Sequence, residues 1–269
     1  MNKMVFVDWG IFMFRSIFAA LKSERTVPPT YTAMSMIISC LRHVGITPDD
    51  IVIIAADSPK GSWRKDYDTA YKANRKEKRE KYDINWTKSF EMFWTLLEKI
   101  EMYTPFHTIS IDKLEADDII AYSCKHYPDK ECVIISSDAD YEQLFVYPNV
   151  KIFSPVSKHY KKPVDPYKVL AQKIQKETSD NLITPILSER DFEIRNKIIN
   201  LMNLPVEIED KVRERILIFP TKEWDYNRVP FQSLYDRYLG IYNTSKIVDS
   251  TKYKTKPKKK KEVPEKTLL

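Results

Sequence analysis

Apolar residues along this chain follow two rhythms. Short unbroken runs occur at MVFVD (4–8), DIVIIAAD (50–57), around 106–109, at ECVIISSDAD (131–140) and at VKIFSP (150–155). Their length and β-branched character predict strands buried on both faces. Between them the apolar positions recur at helical spacing. A helical pattern follows the first run through Phe18, ahead of a proline-containing loop at 27–29. Residues 31–44 place Met34, Ile37, Ile38 and Leu41 on one face, another helix is expected over about 86–103, and KLEADDIIAYSCKHY (113–127) reads as a helix with acids in its first turn. Strands separated by helices predict an α/β fold with a parallel sheet of βαβ type. In such sheets ligands bind beyond the carboxyl ends of the strands.

The rhythm changes twice. From 63 to 82 the chain turns strongly polar, and after about residue 160 only helical patterns remain: 167–181, then 189–217 interrupted at Pro205, then a short aromatic helix at 231–242. A lysine-rich, low-complexity tail follows, for which disorder is expected.

Composition narrows the function classes. The 269 residues are 43% hydrophobic and 30% charged, as in an ordinary globular protein. No run approaches the roughly 18 apolar residues of a membrane span. The N-terminus goes straight into a strand-like run without signal-peptide architecture. Cys40, Cys124 and Cys132 sit in apolar surroundings without metal-type spacing, which suggests small buried thiols in a reducing, cytoplasmic setting. A nuclear address read from the lysine string is the minor alternative. The four glycines (10, 45, 61 and 240) leave no place for a Gly-rich phosphate loop. Residues 246–269 carry nine lysines against three acids, +6, which equals the formal charge of the whole chain, so residues 1–245 sum to zero. Any positive surface on the body must therefore be local.

The acids are placed more tellingly. Asp8, Asp57, Asp138 and Asp140 all fall where predicted strands end, and Glu115, Asp117 and Asp118 crowd the first turn of the helix between two of those strands. Each alone could be a cap, a turn residue or a helix N-terminal acid. Together they form a like-charge cluster that repels itself unless a cation is present. Oxygen-only donors favour magnesium or manganese, and two such ions roughly 4 Å apart suit phosphodiester hydrolysis.

At these residues the chain resembles a known family. VDWGIFMFRS, AADSPKGSWRKDYDTAYKANRKEK, KLEADDIIAY and IISSDADYEQL are similar to successive motifs of the bacteriophage 5′ nucleases. These are the phage-type flap endonuclease and ribonuclease H proteins, related to the 5′ nuclease domain of DNA polymerase I. The resemblance covers about residues 1–182. It implies a PIN-like parallel sheet flanked by helices, with a metal-binding nuclease domain over 1–160 and an arch region at about 63–85. A smaller helical C-terminal region would occupy 161–245 and the basic tail 246–269. By motif, Asp8, Asp57, Glu115, Asp117 and Asp138 would surround a first Mg2+, with Asp118 as an outer participant and Mn2+ as an alternative ion. Asp140 would serve a second ion with Glu177 and Asp180 of KETSDN, where Glu177 replaces the family's usual aspartate.

The resemblance also implies what touches nucleic acid. Eight basic residues lie between Arg64 and Lys81 among four acids, a pattern that composition alone would assign to a solvated helix with pairs such as Glu77 and Lys81. As the family's arch, the stretch would place Lys72 and Arg75 at the scissile phosphate. Arg64, Lys76 and Arg79 would contact the backbone, and Tyr67 and Tyr71 would stack on bases. The family's Gly-x-Gly duplex-binding hairpin has no counterpart after DN at 180–181, so that element is expected to be shortened, with a replication protein as a potential partner. The implied function is a two-metal 5′–3′ exonuclease and flap endonuclease, monomeric and not membrane-bound. It would act on 5′ flaps, single-stranded 5′ ends of DNA, or RNA primers in RNA–DNA hybrids, in a host cytoplasm. The alternatives are a non-catalytic nucleic-acid-binding relative and a PIN-type single-strand ribonuclease.

The charge distribution makes the tail a tether to polyanions. Removing residues 246–269 should weaken DNA binding and flatten its salt dependence without slowing the chemical step. Affinity titrations across a salt series would check this, and an unchanged slope would reject the tether.

Overall fold

A computed structural model describes residues 2–22, 27–175, 186–216, 219, 222 and 224–238. Five parallel strands form its centre: β1 (Lys3–Asp8), β2 (Ile51–Ala55), β3 (His107–Ile109), β4 (Glu131–Ile135) and β5 (Val150–Ser154). A two-residue strand, β6 (His159–Tyr160), adds antiparallel to β5 and gives the order β3-β2-β1-β4-β5-β6. The parallel sheet agrees with the alternation of apolar runs. The short β6 carries too few residues to show a period of its own.

Both faces of the sheet are covered, which is why its strands read as unbroken apolar runs. Side chains alternate across a strand. Val5, Val7, Val52, Ile54, Val133 and Ile135 therefore join one buried cluster, and Met4, Phe6, Ile53, Cys132, Ile134 and Ile152 the other. The first cluster is closed by α1 (Trp9–Leu21), α2 (Pro29–Val44) and α4 (Trp86–Tyr103) through Phe12, Met34, Ile37, Leu41, Phe93 and Leu97. The second is closed by α5 (Ala116–His126) through Ile119 and Ile120. The short helix α3 (Arg75–Glu80) buries none of its residues.

The C-terminal helices pack into the same two clusters. The expected helix over 189–217 is two, α7 (Glu189–Ile199) and α8 (Val206–Ile216): α7 ends where Asn200 turns extended at ψ 104°, and Pro205 stands directly before the first residue of α8. Ile198, Ile208, Val212 and Ile216 join the α5 face, while Leu234 and Tyr235 of α9 (Gln232–Tyr238) join the α2 face. Helix α6 (Pro166–Gln175) packs on the 3-10 turn Asp140–Val146.

The strand order positions the functional edge. From β1 the chain moves outward through β2 to β3, then returns to lay β4 on the other side of β1. The crevice at such a reversal is where open α/β sheets bind ligands. Asp8 ends β1 opposite Ala55, two residues before Asp57, and Ile135 of β4 pairs with Val7, three residues before Asp138.

Helix ends are defined locally. Pro29 opens α2, and Gly45 closes it at φ 69°, its N–H reaching the carbonyls of Leu41 and Arg42. A β-carbon at Gly45 would meet nothing within 4 Å. Gly45→Ala should therefore cost about 1–2 kcal/mol through backbone conformation alone. Urea unfolding of the two proteins would measure it, and an equal midpoint would contradict the left-handed cap.

Candidate metal centre

Three acids arrive at the reversal point on separate strands. Asp8 is 8% exposed, and the Ser136 hydroxyl donates to its Oδ2 at 3.0 Å. The same hydroxyl accepts the Asp138 N–H at 3.0 Å, and Asp138 Oδ1 accepts the Asp140 N–H at 2.9 Å. Asp57 Oδ1 accepts the Ala116 N–H at 2.9 Å, which fastens the loop after β2 to the N-terminus of α5. Among the described residues no lysine or arginine pairs with the side chains of Asp8, Asp57 or Asp138. Burial first, then the charges of Asp57 and Asp138, push the Asp8 carboxyl up to about 7. Ser136 was legible only as part of IISSDAD; its bridging role depends on β1 and β4 being neighbours.

The acids of α5 differ in being paired with cations of the protein itself. Glu115 caps the helix in a reciprocal box with Asp118, whose Oδ2 accepts the Glu115 N–H at 2.9 Å. Arg64 spans all three acids. It bonds Glu115 at 3.0 Å, Asp117 at 3.2 Å, and the two oxygens of Asp118 at 2.8 and 3.0 Å. Trp63 Nε1 donates to Asp118 at 3.0 Å. Lys72 Nζ and the Tyr71 hydroxyl donate to Glu115 at 2.8 and 2.9 Å. Burial alone would raise Glu115, but Arg64 and Lys72 outweigh it and hold the carboxyl at about 2. For Asp117 and Asp118 burial wins, and both are raised.

Several expected roles need correction. Arg64 is 1% exposed and its guanidinium is turned inward onto carboxylates, so it does not face a phosphate. Tyr71 is 4% exposed with its hydroxyl on Glu115, so its ring is not offered to bases. Both lie in a polar stretch whose 3-10 turn, Trp63–Asp66, buries Trp63 and Arg64 while Lys65 and Asp66 stay exposed. Asp118 is wholly buried, with both oxygens engaged by Arg64, Trp63 and the Glu115 N–H. Asp140 forms an ion pair with Lys173 of α6. Glu177 and Asp180 lie outside the described residues.

The remaining basic residues stay at the surface. Lys72 adopts φ 54°, a left-handed conformation rare for lysine, which turns its amine toward Glu115 with 15% of the side chain exposed. Arg75 and Lys76 are exposed at the start of α3, and Arg79 lies over the Phe90 ring at 5.6 Å. Tyr67 is 41% exposed, with its hydroxyl between Lys197 and Glu207.

Asp8, Asp57 and Asp138 offer oxygen donors only, and this chemistry fits a hard divalent ion. As they stand, no three acids, histidines or cysteines among the described residues converge closely enough to ligate one ion.

Comparisons with known proteins bear on the family and the fold. The family profile described as the 5′-3′ exonuclease, N-terminal resolvase-like domain, matches residues 3–175. The ribonuclease H of Enterobacteria phage T4 is 39% identical over 114 residues, covering 42% of this chain and 37% of that protein, so the chain matches little more than a third of this relative's length. Among solved structures, a bacteriophage T5 protein co-crystallised with metal ions superposes with a TM-score of 0.61 at 19% identity, covering 81% of this chain and 99% of the other. The T5 5′-exonuclease with divalent zinc bound gives 0.55 at 21% identity, covering 90% and 89%. These two likenesses show the shared fold.

The charge of Asp8 has a measurable consequence. Because its folded value lies near 7, above the ordinary carboxylate value, the folded state holds a proton that the unfolded state has lost. Metal-free protein should therefore lose stability, on the order of 4 kcal/mol at most, as pH rises from about 4 through 7. Asp8→Asn should make that slope shallower, leaving the part that Asp117 and Asp118 contribute. Urea midpoints in EDTA across this range would test it, and parallel slopes for the two proteins would refute it.

Proposed function

Because this chain belongs to the 5′-3′ exonuclease family, whose N-terminal domain spans two thirds of its length, we propose that it is a metal-dependent 5′ nuclease. Its substrates on this reading are phosphodiesters in 5′ flaps, single-stranded 5′ ends of DNA, or RNA primers paired to DNA. The observation that carries the reading is that Asp8, Asp57 and Asp138, with no lysine or arginine on their side chains among the described residues, stand at the ends of neighbouring strands at the reversal point of the sheet, near enough for Asp57 and Asp138 to act on Asp8. The T5 flap endonuclease crystallised as a pseudo-enzyme–product complex with DNA and metal ions shares the fold, with a TM-score of 0.54.

Bound divalent ions, Mg2+ or Mn2+, would supply the activated water and offset charge on the leaving oxygen. Asp8, Asp57 and Asp138, with Glu115 and Asp117 at the rim, would hold the first ion. Asp140, with Glu177 and Asp180, would serve the second. Lys72, whose ammonium pairs with Glu115, would meet the scissile phosphate, and exposed Arg75 would grip the next phosphate along the strand. Lys76, Arg79 and the ring of Tyr67 would extend that contact. Residues 1–160 would carry the chemistry and 161–245 the grip on duplex. Among the described residues no helix is long and apolar enough to cross a membrane, and the reading places the protein in the cytoplasm of a host cell as a monomer.

A non-catalytic binder is the second reading. The pairing of Asp140 with Lys173 favours it, because that acid is already neutralised. One experiment separates the two: cleavage of an end-labelled 5′-flap DNA with magnesium, beside EDTA and Asp138→Asn controls. The expected result is metal-dependent cutting near the flap junction, reduced by more than about 10³-fold in the variant with flap binding retained. Binding without cutting by the wild type would establish the binder.

A further inference from the structure

Every donor of the Arg64 side chain is engaged. A guanidinium has five N–H donors, and five bonds are made here. Nε donates to the Ile198 carbonyl at 2.7 Å, and the two terminal nitrogens make four bonds to Glu115, Asp117 and Asp118. Its carbon also lies over the Trp63 ring at 4.9 Å. No donor remains for a ligand. The fork is also the point where the arch segment, the first turn of α5 and the end of α7 meet.

Such a group has a different task from Lys72. Three carboxylates in consecutive and near-consecutive positions repel one another strongly once removed from water. A planar fork fixed at both ends can hold all three in one geometry, which a flexible ammonium cannot. We propose that Arg64 is a positioning residue, a resident cation that holds Glu115, Asp117 and Asp118 together before any metal arrives and ties them to α7. The proposal rests on the metal-dependent reading above. It divides the acids into a half kept in place by the protein itself and a half, Asp8, Asp57 and Asp138, that awaits an ion.

Thermal unfolding of the full chain tests it without recourse to activity. Wild type, Arg64→Gln and Arg64→Lys are melted in EDTA and in saturating Mn2+. Arg64→Gln should lose most in EDTA and regain a large part of the loss with Mn2+, so that its metal-induced rise in Tm is at least about twice that of wild type. Arg64→Lys keeps the charge but not the fork, and should fall between them in EDTA. A glutamine variant that folds only with Mn2+ would be the same result in stronger form. An equal loss with and without Mn2+ would reduce Arg64 to a packing role and overturn the proposal. A wild type whose Tm ignores Mn2+ would overturn the metal reading, and this inference with it.

Discussion

Repulsion between carboxylates at one edge of the sheet is the constraint around which this molecule is arranged. Two like charges 4 Å apart cost about 4 kcal/mol at an effective dielectric of 20, a large fraction of the stability of an ordinary domain. The protein meets that cost in two ways. On the α5 side it supplies cations of its own, Arg64 and Lys72, and Glu115 stays ionised down to about 2. On the β1–β4 side it supplies neutral donors instead of a cation, the Ser136 hydroxyl and the backbone at Ile11, and Asp8 is left to hold its proton up to about 7. Glu115 is thereby balanced within the protein and Asp8 is not, while burial keeps Asp117 and Asp118 raised despite Arg64.

Holding such a cluster requires a stiff support. Five parallel strands buried on both faces leave little room for the strand ends to move apart, and the capping box of α5 fixes its first-turn acids to the backbone. The bond from Ala116 to Asp57 joins that helix to the neighbouring strand end. The C-terminal helices contribute too: Arg64 reaches Ile198 of α7, and Lys197 beside it meets Tyr67 at the base of the polar stretch. The helical region after residue 160 is thereby wired into the site, and the family match ending at residue 175 stops before this connection.

Most of the fold was legible because its signals are local. Strand runs ending in aspartates, the amphipathic spacing of Met34, Ile37 and Leu41, and the break at Pro205 depend only on side-chain periodicity and backbone geometry. The polar stretch misled for the same reason. Arg64 and Tyr71 sit among residues that are mostly solvated, and nothing in their neighbours along the chain marks them as buried. Asp118 was placed correctly on its helix, yet its two oxygens are used by Trp63 and Arg64, partners more than fifty positions away.

The sequence by itself determined which residue types stand at each strand end and helix start, and so assembled the acids along one edge. That follows from a period of two in strands and 3.6 in helices, which any single stretch displays. Only the tertiary structure decided which acids are neutralised by the protein and which are left exposed to one another. Charge balance depends on distance through space. The residues that settle it here, Arg64 against α5 and Ser136 between β1 and β4, become neighbours only when the strand order β3-β2-β1-β4-β5 and the packing of α7 are in place.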